Sequence, residues 1–309
     1  MRIAILASLC LSVLTCASAM AQEAAPVRIL FIGNSFTFAQ GSAVRYFHPE
    51  SVTDLNGNAQ GGMPALFKAF AMQAGLNYEV ALETQPGSGL EFHLENRRDR
   101  IARPWDVVVM HGQSTLDFEQ PGNPAKLVRT SREMAELLLA SNDAARFFLL
   151  ATWTRADQTY PATGAWAGKP IEAMASDVRK AYDAAAANTP NVAGVIPVGE
   201  AWTRAMQQGI ADANPYDGTA FGQLDLWTYD HYHASAYGSY LEALVVFGAV
   251  TRRDPRLLGT AECAGFELGF SSQQVEALQR VAAEQLLADG LIEPAKLPSA
   301  ADAAPKPCQ

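Results

Sequence analysis

The sequence predicts an α/β fold, a three-layer sandwich with a central parallel sheet of about five strands covered by helices. Short apolar runs at 27–32, 78–82, 106–110, 146–151 and 192–198 have the length of buried strands. Helical stretches at 63–74, 90–101, 125–140 and 171–187 fall between them. Parallel neighbours cannot be joined by a tight hairpin, so strand and helix in alternation read as parallel pairing through helical crossovers. The third observation is bulk: 309 residues, 49% hydrophobic and 18% charged, can bury a large core, and a chain disordered throughout is excluded.

The helix at 125–140 shows the pattern most clearly. Leu127, Met134, Leu137 and Leu138 share one face, and Arg129, Arg132, Glu133 and Glu136 lie largely off it. After the fifth strand come a helix at 200–208, a Gly/Asp/Asn-rich loop to Leu226, and an apolar helix at 235–250 with Tyr237, Leu241, Leu244 and Phe247 as its packed stripe. A last helix at 271–287 begins with serines suited to N-capping and stops before Asp289-Gly290. There is neither an internal repeat nor an interdomain linker, so one domain over 22–290 is expected, followed by an Ala/Pro-rich tail at 291–309.

The first 21 residues read as a signal peptide. Arg2 precedes an apolar run at 3–13 and then Ala19-Met20-Ala21, a small-x-small cleavage site. The run is shorter than the roughly 20 residues a membrane span needs, and no later segment supplies one. The mature chain is therefore expected to be exported, to the periplasm or outside the cell. Its formal charge falls from −9 to −10 once Arg2 is removed, which excludes nucleic acid as a partner because no basic face is available for phosphate. Cys263 and Cys308 are the two cysteines left after cleavage, and in an oxidising compartment they are expected to bond and tie the tail to the domain.

In an open parallel sheet, ligands bind beyond the carboxyl ends of the strands. The first strand ends in Gly33-Asn34-Ser35, which stands Ser35 at that edge with its hydroxyl and N–H available to a substrate. No G-x-G-x-x-G or G-x-x-x-x-G-K-[ST] pattern follows, so nucleotide binding drops out. Far along the chain, just ahead of the apolar helix, stands Asp230-His231-Tyr232-His233. A carboxylate three residues before a histidine can hold Nδ1 and leave Nε2 as a general base.

Together, Gly33-Asn34-Ser35 and Asp230-x-x-His233 resemble the SGNH (GDSL-like) hydrolases, in the branch that begins G-N-S, over roughly residues 27–250. The resemblance implies a flavodoxin-like sheet and a serine esterase, with Ser35 as nucleophile, His233 as base and Asp230 as its orienter. It also implies an oxyanion hole in which the Ser35 N–H is joined by a glycine N–H and an amide side chain from two intermediate loops. Pro86-Gly87-Ser88-Gly89 supplies Gly87 as the glycine. In the third loop the family's G-x-N-D is replaced by His111-Gly112-Gln113-Ser114, so Gln113 stands in for the asparagine with the same amide one methylene further out.

Asn34, His111, Trp153 and Arg155 are the candidates for substrate contact, and the loops at 153–169 and 214–229 are rich in aromatics that either pack the loops onto the domain, the favoured reading, or offer faces to sugar rings or aromatic esters. His93, on a helix, is expected to be a satisfied, partly buried imidazole. His231-x-His233 with Asp230 or Asp225 has metal-ligand spacing, but no further His or Cys cluster accompanies it, so neither a metal nor another cofactor is expected. The resulting expectation is removal of short acyl groups, such as acetyl, from a small-molecule or glycan ester. The alternatives are acyl transfer from the same acyl-enzyme and a non-catalytic glycan-binding protein on this scaffold.

Overall fold

A computed structural model describes residues 25–297. Its frame is one six-stranded, all-parallel sheet of β1 (Val27–Gly33), β2 (Thr53–Asp54), β3 (Tyr78–Thr84), β4 (Val107–Met110), β5 (Arg146–Ala151) and β6 (Val192–Pro197). The strand order is β2-β3-β1-β4-β5-β6. With the short β2 set aside, this is the flavodoxin-like order, in which the chain reverses its direction of winding beside β1. The expectation of about five strands in a parallel sandwich therefore holds, with a two-residue edge strand added that is too short to leave a pattern in sequence.

The helices are α1 (Gly62–Gln73), α2 (Leu90–Asn96), α3 (Arg98–Ile101), α4 (Ala125–Leu139), α5 (Glu172–Ala187), α6 (Val198–Gln207), α7 (Ala236–Thr251), α8 (Cys263–Glu267) and α9 (Ser272–Ala288). The predicted single helix at 90–101 is broken at Arg97, whose φ of −131° is not helical. Its guanidinium folds over Phe92 and reaches Glu83 instead.

Alternation along the strands divides the core in two. Ile29 and Phe31 of β1 pack with α1, α6, α7 and α9, whereas Leu30 and Ile32 pack with α2, α4 and α5. Helix α7 is buried nearly all round, so its apolar character exceeds the single stripe the sequence suggested. Helix α9 begins with a capping box in which Ser271 and Gln274 exchange side-chain and backbone bonds.

The expected signal peptide and most of the expected tail lie outside the described residues. Cys263 opens α8 and is disulfide-bonded, and its expected partner Cys308 lies outside the described residues. No helix among the described residues is long and apolar enough to cross a membrane.

Candidate active site

Ser35 and His233, 198 residues apart in sequence, meet beyond the carboxyl end of β1. Ser35 Oγ lies 2.9 Å from His233 Nε2, and His233 Nδ1 lies 2.6 Å from Asp230 Oδ2. Ser35 is 4% exposed and His233 8%. The arrangement is a hydroxyl bonded to an imidazole that is in turn fixed by a carboxylate, as proton abstraction from the hydroxyl requires.

The loop that carries Asp230 and His233 is closed on its carboxylate by its own residues, and Asp157 N–H and the Trp153 indole N–H bond its His231 and Tyr232 carbonyls from outside. Asp230 Oδ1 accepts from the Thr228 hydroxyl at 2.7 Å and from the N–H groups of Tyr232 and His233 at 2.9 Å each. Thr228 N–H closes the loop onto the His233 carbonyl at 2.7 Å. Burial of Asp230 favours its neutral form, but these bonds, with that from the His233 ring foremost, outweigh it and lower its pKa to about 2. Asp230 is therefore ionised wherever a histidine base could work. The ring of Tyr232 leans over His233 with centroids 4.0 Å apart, and Phe36 meets the imidazole edge-on at 5.7 Å.

The turn carrying Ser35 is held instead by distant parts of the chain. The Gly33 carbonyl accepts from Gln85 N–H at 3.1 Å and pairs with His93 Nε2 at 3.0 Å. His93 is fully buried and pairs through Nδ1 with Glu83, which also binds Asn56 and Arg97. Gly33 has to be glycine: a Cβ there would stand 2.2 Å from Thr37 Oγ1 and 2.3 Å from His111 Nε2.

His111 is 2% exposed, and both ring nitrogens are engaged, Nε2 with the Thr37 hydroxyl at 2.8 Å and Nδ1 with the Gly112 carbonyl at 3.0 Å. Burial lowers its pKa to about 4, so at neutral pH it carries a proton on Nδ1 and accepts from Thr37 at Nε2. It props the serine turn from behind rather than meeting a substrate.

Three donors, one in this turn and two in the loops that Asn34 bonds through the Ser88 and Gly112 carbonyls, have no acceptor among the described residues: the N–H groups of Ser35 and Gly87 and the amide nitrogen of Gln113. Gly87 has a φ of +69°, a conformation glycine adopts without strain. Gln113 Oε1 accepts from Thr115 N–H at 2.6 Å and Thr115 Oγ1 at 2.8 Å, so Thr115 occupies the oxygen and leaves the NH₂ end as the free one. Thr115 and Thr228, which orient Gln113 and Asp230, carried no recognisable signal in sequence beyond standing two residues from the groups they hold.

The other substrate candidates separate by depth. Trp153 is wholly buried, stacked between Phe36 and Trp202 at 4.1 and 4.7 Å, and its indole N–H donates to the Tyr232 carbonyl at 3.1 Å. It is core rather than a sugar platform. Arg155 lies flat on Tyr232, 3.6 Å from the ring centroid, paired with Asp157 and bonded to Ser114 Oγ at 3.2 Å. It bridges the histidine loop to the Gln113 loop. Asn34 is 4% exposed and turns its amide inward. Of the loop aromatics, Trp166 and Trp227 are buried as well, whereas Tyr160 and Tyr216 are partly exposed, with Tyr216 resting 4.3 Å from the ring of His231. Among the described residues, no group of three or more His, Cys, Asp or Glu is placed to hold a metal ion.

No family model matches the chain, and no curated protein matches it. Among solved structures, a DUF4886 family protein from Bacteroides uniformis has the same fold, with a TM-score of 0.59 and 18% identity over 90% of this chain and 99% of its own. A putative GDSL-like lipase from Parabacteroides merdae gives a TM-score of 0.49 and 16% identity over 72% of this chain and 94% of its own.

Proposed function

We propose that the protein is a serine ester hydrolase of the SGNH type, working through an acyl-enzyme on Ser35. The observation that carries the reading is the continuous chain from Ser35 Oγ through His233 to Asp230, at 2.9 and 2.6 Å, with N–H donors lacking an acceptor among the described residues in the serine turn and in the two loops that Asn34 bonds. A buried hydroxyl needs only one partner to be satisfied. Orienting its histidine with a carboxylate, and leaving donors free around it, serves a developing oxyanion.

In the first half-reaction Ser35 Oγ attacks the ester carbonyl as its proton passes to His233 Nε2, and Asp230 stabilises the imidazolium. The negative charge on the former carbonyl oxygen is met by the Ser35 and Gly87 N–H groups and the Gln113 amide. Collapse breaks the bond to the alcohol oxygen, which takes the proton from His233 and departs. Water then enters, gives its proton to His233 and attacks the acyl-serine, and the second tetrahedral species releases the carboxylic acid and returns the proton to Ser35.

The substrate we propose is a short acyl ester, acetyl foremost, of a carbohydrate. Tyr160 and Tyr216, partly exposed beside His231, offer ring faces on which a sugar can lie. The test is turnover of p-nitrophenyl acetate, butyrate and octanoate, and acetate release from acetylated xylan, by the wild type and Ser35→Ala. The reading requires hydrolysis by the wild type, falling with chain length, and a loss of about 10⁴-fold or more in the variant. Equal activity of the two proteins would overturn it.

A further inference from the structure

We infer that Asn34 is a positioning residue that locks all three oxyanion donors into one frame. The inference rests on Ser35 being the nucleophile and goes beyond that reading by assigning the neighbouring side chain a task.

Asn34 Nδ2 donates to the Ser88 carbonyl at 2.9 Å and to the Gly112 carbonyl at 3.2 Å, and its Oδ1 accepts from Phe36 N–H at 3.1 Å. Each bond fixes one donor. The bond from Phe36 closes an Asx turn with Ser35 at its centre, which sets the direction of the Ser35 N–H. The Gly112 carbonyl belongs to the peptide plane that carries Gln113 N, so holding that oxygen orients the start of Gln113. Ser88 ends a turn closed by its own N–H and hydroxyl on the Gln85 carbonyl, at 3.4 and 2.9 Å, and Gly87 lies inside that turn. One buried amide thus ties the loops that follow β1, β3 and β4, three adjacent strands whose ends are joined two at a time by Gln85 N–H on the Gly33 carbonyl and by the His111–Thr37 bond.

An amide is the right group for this position. Both of its hydrogens are spent on carbonyls, which a carboxylate would repel, while its oxygen meets an N–H. A misplacement of about 1 Å at a reacting centre can cost on the order of 10²-fold in rate, so a clamp of this kind should act on the chemical step.

The experiment is a double-mutant cycle with p-nitrophenyl acetate, using Asn34→Asp and Gln113→Ala singly and together. Asn34→Asp keeps the size of the side chain and the acceptor for Phe36 N–H, and it removes the two donations. The expected result is a fall in kcat of about 10- to 100-fold, with KM within about two-fold and an unchanged acid limb of the pH profile, since His233 and Asp230 are untouched. In the Gln113→Ala background the same change should cost clearly less than in the wild type without becoming silent, because one of the three donors it positions is already gone while the Ser35 and Gly87 N–H groups remain.

Should Asn34→Asp misfold, Asn34→Ser carries the same cycle, judged by circular dichroism and thermal melting beforehand. Undiminished kcat in a folded variant, a loss carried by KM, or full multiplication of the two single losses would overturn the inference. Activity of Ser35→Ala equal to wild type would instead strike at the proposed nucleophile, so the two failures are told apart.

Discussion

The two halves of the candidate site are built on opposite plans. The loop of Thr228 to His233 is closed by bonds among its own residues, with Asp230 Oδ1 taking three of them. The serine turn is held from outside, by Gln85 and His93 on the Gly33 carbonyl, by His111 on Thr37, and by the Asn34 amide on two further loops. A self-closed loop can keep its geometry wherever it is placed. A turn held by long-range contacts inherits its geometry from the whole sheet edge, so damage there should reach stability as well as chemistry.

Three changes test that contrast, from the largest effect to the smallest. Asp230→Asn, which loses the orienting charge within the self-closed loop, should lower kcat by about 10⁴-fold while the thermal midpoint moves little. A midpoint drop as large as that of a core substitution would show that the loop is not self-sufficient. Gln113→Ala should lower kcat by about 10²- to 10³-fold, read with p-nitrophenyl acetate, if its amide reaches the oxyanion. Gly33→Ala should do what Asp230→Asn does not: its Cβ, 2.2 Å from Thr37 Oγ1, forces the turn away from His111 and costs about 1 to 3 kcal/mol by urea denaturation, with a loss of activity alongside.

A fourth prediction concerns pH. His111 is buried and neutral, with a pKa lowered to about 4 against about 6.5 in an unfolded chain. The unfolded state therefore takes up a proton that the folded state refuses, so the contribution is intact above about 6.5 and is lost as pH falls towards 4. The stability advantage of wild type over His111→Gln should shrink by about 3 kcal/mol between pH 7 and pH 4, measured by urea denaturation at each pH. A constant difference would mean that His111 takes up its proton in the fold at the same pH as in the unfolded chain.

The same contrast explains what could be read from the sequence. The spacing of Asp230 and His233 is local, so a three-residue interval already implied their bond. The strands were visible because their apolar runs are buried on both faces, and β2 was not, because two residues make no pattern. Gly87 and Gln113 could be placed only by resemblance, since nothing local says that two loops will converge on a third. Trp153, His111 and Asn34 were candidates for the substrate because they stand at strand ends. The sequence could not tell that Phe36 and Trp202 would enclose the first, that Thr37 would cover the second, or that the third would turn inward.

The central claim is that Ser35 is a nucleophile activated by His233, and fluorophosphonate labelling followed by peptide mass spectrometry tests it most directly. The account predicts a single adduct on Ser35 in the wild type, with labelling slowed by several orders of magnitude in His233→Ala while that variant stays folded. Absence of an adduct on the folded wild type, an adduct on another residue, or labelling indifferent to His233 would contradict it.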